Sequence, residues 1–330
     1  DDAGKKGGEF YTPREVAKLL ADLLKPTEGM TIYDPAVGSG GMLIECARHI
    51  QSAGGDPRNT TFYGQEKNAG AWAICRLNLL LHGLPSVDIR RGDVLRDPRH
   101  IDGERLMTFD RVIANPPFSL KDWGADASSP DLFGRFTPEP APRAKGDFAF
   151  LQHMLASTNE RGIIGAVLPN GVLFRGGSEE RIRRHLLERD LFEAVIGLPA
   201  NLFFGTTIPA CIVILNKAKP AARREKILMI NGASPDADRA ARRRLHTSAS
   251  RQITKDFEAF RPTNRSSRIL TLEQVRANRH NLNLACYVNT DGARVEIDLK
   301  LAAERLLQLQ QDRDAAEKQL KNELRALGLI

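Results

Sequence analysis

The most pointed chemistry in this 330-residue chain sits in Asn115-Pro116-Pro117-Phe118. Two successive prolines remove backbone donors and stiffen a turn, leaving carbonyls that face outward. The side-chain oxygen of Asn115 and the carbonyl of Pro116 then form a pair of acceptors. An adenine amino nitrogen is a poor nucleophile because its lone pair is delocalised into the ring. Two such acceptors can bind both of its hydrogens and stabilise the positive charge that develops there. Phe118 offers a ring face for a base drawn out of a duplex. A rigid proline turn ending in a core phenylalanine fits the same four letters.

Three acids stand at the ends of three other apolar runs. The stretch Asp34-Pro35-Ala36-Val37-Gly38-Ser39-Gly40-Gly41 has the glycines of a backbone turned sharply against a ligand. Its spacing is not G-x-G-x-x-G, and it opens with a carboxylate. That charge repels a pyrophosphate and suits the ammonium of an amino-acid ligand, which favours S-adenosylmethionine over a nicotinamide cofactor. A tight structural turn is the alternative. Glu66 ends the next run and can accept both hydroxyls of a ribose, or serve only as a helix N-terminal acid. Asp93 follows the third and can accept from the amino group of a cofactor adenine, or merely shape a turn.

The elements that must position these residues alternate. Thr31–Asp34, Thr61–Gln65, Val87–Arg91, Arg111–Ala114, Ile163–Leu168, Leu191–Ile196, Ala210–Leu215 and Ile227–Ile230 read as strands. Between them Gly41–Ile50, Ala69–Leu81, Phe148–Thr158 and Glu179–Glu188 read as helices. The pattern predicts an α/β fold, a mostly parallel twisted sheet with helices on both faces. Ahead of it, Val16, Leu19, Leu20, Leu23 and Leu24 form the stripe of a helix. Thr12 is its expected N-cap, Pro13 its first residue and Glu15 the partner in a capping box, with Tyr11 and Val16 as hydrophobic staple.

Composition sets the surroundings. The chain is 42% hydrophobic and 27% charged, with a net charge of +7 that suits a polyanion and equally suits a plain basic surface. No apolar run is long enough to span a bilayer, and no secretory leader opens the chain, so a cytoplasmic protein is expected. Cys46, Cys75, Cys211 and Cys286 are scattered among apolar residues and read as small buried thiols. The seven histidines have no metal-ligand spacing, and no metal site is expected.

Taken in order, Asp34-Pro35-Ala36-x-Gly38-Ser39-Gly40, Gly64-Gln65-Glu66 and Asn115-Pro116-Pro117-Phe118 resemble the motifs of amino-methyltransferases. Gly8-Glu9-Phe10-Tyr11-Thr12-Pro13-Arg14 is similar to the extra cofactor motif that precedes the first strand in modification subunits of type I restriction systems. So are Gly146–His153, Leu168–Phe174, Ile196–Pro199 and the late Asn281-Leu282-Asn283 with Tyr287-Val288. The resemblance covers nearly the whole chain. It implies a class I, Rossmann-like S-adenosylmethionine-dependent methyltransferase fold and methylation of adenine at its amino nitrogen in duplex DNA. It places Glu9, Phe10, Tyr11, Thr12, Pro13 and Arg14 with Ser39, Gly40 and Gly41 on the cofactor, Glu66 on its ribose, and Asn115 to Phe118 on the target adenine. It also implies specificity and restriction subunits as partners. A protein glutamine methyltransferase of the release-factor type uses a similar turn, but that family generally ends it with Tyr and lacks the leading motif. A non-catalytic scaffold is the remaining alternative.

The expected domains are 1–26, the leading motif and helix; 27–231, the catalytic domain; 232–297, a basic insertion and irregular segment; and 298–330, a helical tail. Ser119–Gly146, rich in Pro, Gly, Ser and Asp, reads as a mobile lid over base and DNA. Arg242-Arg243-Arg244 can meet phosphates or simply face solvent. In the tail, Leu299, Ala302, Leu306, Leu309, Ala316, Leu320, Leu324 and Leu327 make a stripe for another helix, either the chain's own or a partner's.

Overall fold

The computed structural model describes residues 12–128, 131–203, 206–232, 245, 247–262 and 266–288. Beyond these it describes Leu309, Gln310, Gln311, Arg313, Asp314, Glu317 and Arg325, all helical. Two compact units result, residues 1–290 and 291–330. Most of the tail's stripe, Arg242 to Arg244, and Glu9, Phe10 and Tyr11 lie outside the described residues.

Helix α1 spans Arg14–Leu24 and buries Val16, Leu19, Leu20, Leu23 and Leu24, the stripe read from its spacing. The strands that follow are β1 (Thr31–Asp34), β2 (Thr61–Glu66) and β3 (Val87–Arg91), with α2 (Gly41–Ser52) and α3 (Ala69–Leu81) between them. A small hairpin, β4 (Ile101–Asp102) with β5 (Arg105–Leu106), leads into β6 (Phe109–Ala114). Then come α4 (Asp147–Ala156), β7 (Thr158–Pro169), α5 (Ser178–Glu188), β8 (Phe192–Gly197), β9 (Ala210–Asn216) and β10 (Lys226–Asn231). The described part of the first unit closes with α6 (Thr247–Ala259), β11 (Ser267–Thr271) and α7 (Leu272–Ala277).

The large sheet runs β11-β10-β8-β9-β7-β6-β1-β2-β3. Only β9 and β11 run against the rest, so the sheet is mostly parallel. Alternating side chains serve two cores. Val112 and Ala114 face the layer of α4, α5 and α7, whereas Ile113 faces the layer of α1, α2, α3 and α6. The chain winds outward through β1, β2 and β3 and returns to place β6 beside β1. That reversal opens a crevice at the carboxyl ends of the strands, where folds of this kind bind ligands.

Four expectations are corrected. Within 232–297, expected to be a basic insertion and irregular segment, the described residues form α6, β11 and α7, and β11 extends the large sheet. They escaped notice because α6 buries only Ile253, Asp256 and Phe257, and β11 is a five-residue edge strand. The described residues of Ser119–Gly146 are held down, with Trp123 1% exposed in the core and Phe136 against it at 5.1 Å. Arg135 in the same segment donates to the carbonyls of Val94 and Leu95. Cys286 is exposed, because in its short turn only Leu284 faces inward. Finally, α1 is preceded by Pro13 and carries no side-chain cap, since the Thr12 hydroxyl is engaged elsewhere.

Candidate active site

The glycine loop between β1 and α2 is shaped by two left-handed residues, Gly38 (φ 53°) and Gly40 (φ 85°). At Gly40 a side chain would also be only 3.0 Å from Cys75 Sγ, so glycine alone lets α2 start this close to α3. No side chain caps the first turn of α2, which leaves its amides toward the crevice.

The three acids behave differently from one another. Asp34 is 1% exposed, and Oδ1 accepts from the amide of Ala36 at 2.9 Å. Burial, with the neighbouring Glu66 adding to it, pushes its carboxyl up to about 8. Glu66 is buried too, and both oxygens are engaged: Oε2 accepts from Gly38 N at 3.0 Å and Oε1 from Asn68 N at 2.7 Å. Burial raises its pKa against these bonds. It is not the cap of α3, because Asn68 Oδ1 fills that position by accepting from Gly70 N and Ala71 N. Asp93 is more open. Its Oδ1 accepts from Leu95 N at 3.1 Å, as a turn residue does, while Oδ2 pairs with Lys67 Nζ at 2.9 Å.

Asn115 follows β6, whose last residues Ile113 and Ala114 are fully buried. Its Nδ2 donates to Thr12 Oγ1 at 3.0 Å. Its Oδ1 is buried and accepts no hydrogen bond from any described residue. The amide is therefore held by its donor end, with the acceptor end left unmet. Pro116 is buried, and Phe118 meets Phe203 edge to face at 5.6 Å.

A cleft of about 600 Å³ joins these parts. Among the expected residues, Thr12, Arg14, Asp34, Gly38, Ser39, Gly41, Glu66, Asp93, Asn115 and Pro117 line it. Pro13, Gly40, Pro116 and Phe118 do not. Sequence reasoning missed Glu45, Lys67, Asn78, His82, Leu120 and Phe150 on the wall. Glu45 had a signal, an acid within the apolar run of α2. It is 5% exposed and receives Arg14 Nε at 2.9 Å and the guanidinium of Arg48. Phe203 had none, since its meeting with Phe118 joins distant loops. Among the described residues no cluster of ligating side chains could hold a metal ion, and no helix is long and apolar enough to cross a membrane.

The model of the N-6 DNA methylase family matches residues 1–295. The chain belongs to that family. It is 37% identical over 317 residues to the type I restriction enzyme MjaVII methylase subunit of Methanocaldococcus jannaschii, covering 92% of this chain and 53% of that protein. It is 34% identical over 231 residues to the HindI methylase subunit of Haemophilus influenzae, covering 69% and 50%. Among solved structures, the type I restriction-modification methyltransferase subunit from Streptococcus thermophilus superposes with a TM-score of 0.77 at 32% identity. That match covers 86% of this chain and 60% of the other. The chain spans about half the length of the curated relatives it matches. The fold is the class I S-adenosylmethionine-dependent methyltransferase fold, as the family and its solved neighbours show.

Proposed function

We propose that the chain is the catalytic part of a site-specific DNA adenine methyltransferase, working as modification subunit of a type I restriction system. The observation that carries this reading is Asn115 Oδ1: buried, without a donor among the described residues, and beside a cleft whose wall carries Asp34, Glu66 and Asp93. A buried acceptor left unmet costs about 1–3 kcal/mol, and an adenine amino group would satisfy it. The cleft also fits the cofactor. Asp34 and Glu66 place carboxyl groups on the wall where a cationic ligand would sit and would favour their ionised forms, and a side chain added at Gly41 would point into open space.

In this reading Asp34, Gly38 to Gly41, Glu66 and Asp93 hold S-adenosylmethionine, and Glu9 to Arg14 contact it as the family resemblance implies. When bound, the cofactor supplies a sulfonium-activated methyl group and leaves as S-adenosylhomocysteine. Asn115 Oδ1 and the Pro116 carbonyl accept the two amino hydrogens of the target adenine. They orient its nitrogen and stabilise the charge that grows there, until one proton passes to water. Phe118 and Phe203 give the extruded base an aromatic flank. The partners are duplex DNA and the specificity and restriction subunits of the same system, in the cytoplasm. Family membership favours adenine over the glutamine amide of a release factor.

Long-read mapping of methylated adenines tests this, in cells carrying the chain with and without its specificity subunit. One methylated motif that needs both proteins is expected. Methylation of a release factor with DNA untouched would overturn it.

A further inference from the structure

Two pieces of sequence, Gly146-Asp147 and Asn170-Gly171, are joined through Arg175 without lining the cleft themselves. Asp147 is the first residue of α4 and is 1% exposed, yet its carboxylate caps nothing in its own helix. One oxygen, Oδ1, accepts from the amide of Ser119 at 2.6 Å. The other, Oδ2, accepts from Arg175 Nη2 at 2.6 Å. Ser119 directly follows Phe118 and has φ 51°, a left-handed conformation that a serine does not hold without help. Arg175 is fixed in turn, donating also to Glu179 Oε1 at 2.7 Å while its own carbonyl accepts from Arg183.

We propose that Asp147, clamped by Arg175, is the positioning residue that holds the Asn115–Phe118 turn in its working geometry. This rests on the methyltransferase reading of that turn. The chain of contacts is short, running from Ser119 N to a carboxylate to a guanidinium. It couples the end of β6 to the loop after its neighbour β7. The clamp explains Gly171: a side chain there would lie 2.3 Å from Arg175 Nη1. That guanidinium cannot swing aside without releasing Asp147 and Glu179. The backbone around Ser119 is closed by the same elements, since Gly146 N donates to Leu120 O at 2.9 Å. Leu120 lines the cleft. Side-chain shape at residue 147 is therefore not what matters; a full carboxylate with two committed oxygens is.

Asp147→Asn keeps the shape and weakens the clamp, and Gly171→Ala displaces the guanidinium without touching a charge. With tritium-labelled S-adenosylmethionine, unmethylated genomic DNA and the chain bound to its specificity subunit, both variants should lower kcat by about a hundredfold. The Kd of the cofactor should stay within about threefold and the melting temperature within a few degrees. Hydrogen exchange at the 115–120 peptide should rise at least tenfold in both, a readout that does not depend on methylation. Unchanged exchange, or kcat and cofactor affinity falling together, would overturn the clamp. Faster exchange beside a wild-type complex that methylates no adenine would leave the clamp standing and remove the reading of the turn.

Discussion

The two sides of the cleft solve opposite problems. On the side of β1 and β2 the acids are already committed: Glu66 binds two backbone amides and Asp34 binds one, so these carboxylates build the loop they belong to. On the side of β6, Asn115 is tethered by its nitrogen and its oxygen is left open. In the proposed reading the first side is a scaffold whose ligand binding comes with its stability. The second is held unsatisfied by the scaffold around it, and its function can be removed without loosening the fold.

The sharpest way to break that contrast is Asn115→Ala. On the acceptor side it should lower methyl transfer by at least ~10²-fold, since it removes one of two groups that stabilise charge in the transition state. Cofactor affinity by calorimetry and melting temperature should hardly move. If transfer persists at the wild-type rate, Asn115 has no part in the mechanism.

Glu66→Ala should do the reverse. It strips the acceptor from Gly38 N, a buried amide, at about 1–3 kcal/mol. The melting temperature and cofactor affinity should fall together, the latter by tenfold or more, with turnover of the fraction still loaded largely retained. A variant that loses affinity at unchanged stability would mean that Glu66 touches the ligand but does not build the loop.

How far all this could be read from the sequence differs between the two sides in the same way. The parallel half of the sheet was legible, β1, α3 and β3 to the residue, because strands there are short and punctuated by glycine or proline. The committed acids were visible as a pattern, three strand ends in a row. The Asn115 turn was visible as four letters. What could not be seen is where a second bond goes. Thr12 has the right spacing to cap α1, and only the fold brings it to Asn115, 103 residues away. Ser119–Gly146 has the composition of a loose loop, but Trp123, Arg135 and Phe136 anchor it to partners remote in sequence. The same limit hid α6 and β11, whose apolar faces are too narrow to stand out from a polar surrounding.

Asp34 gives a weaker but directional effect. Its carboxyl is pushed to about 8 by burial from an ordinary 3.8, so the folded, ligand-free protein binds a proton that the unfolded chain releases. Stability from this group is fully present below about pH 3.8 and is lost as pH rises through about 8, by up to ~1.4 kcal/mol per pH unit. A cationic ligand selects the ionised form, so cofactor affinity should climb up to tenfold per pH unit toward pH 8 and then level. Asp34→Asn should flatten both profiles and raise the melting temperature above pH 7. A ligand affinity that is independent of pH in the wild-type chain would separate Asp34 from the cofactor.

Thr12→Val should have the smallest effect, and it decides between two accounts of one hydroxyl. As a helix cap, Thr12 would contribute about 0.5–2 kcal/mol to α1, and its loss would show in the melting temperature. As the acceptor for Asn115 Nδ2, its loss frees the amide to rotate and offer nitrogen where oxygen is needed. One hydrogen bond of ~1 kcal/mol then translates to roughly a fivefold fall in kcat at unchanged stability. The bond at 3.0 Å to Asn115 and the lack of a side-chain cap on α1 favour the second outcome. A lower melting temperature with normal turnover would return Thr12 to the helix and leave Asn115 without its tether.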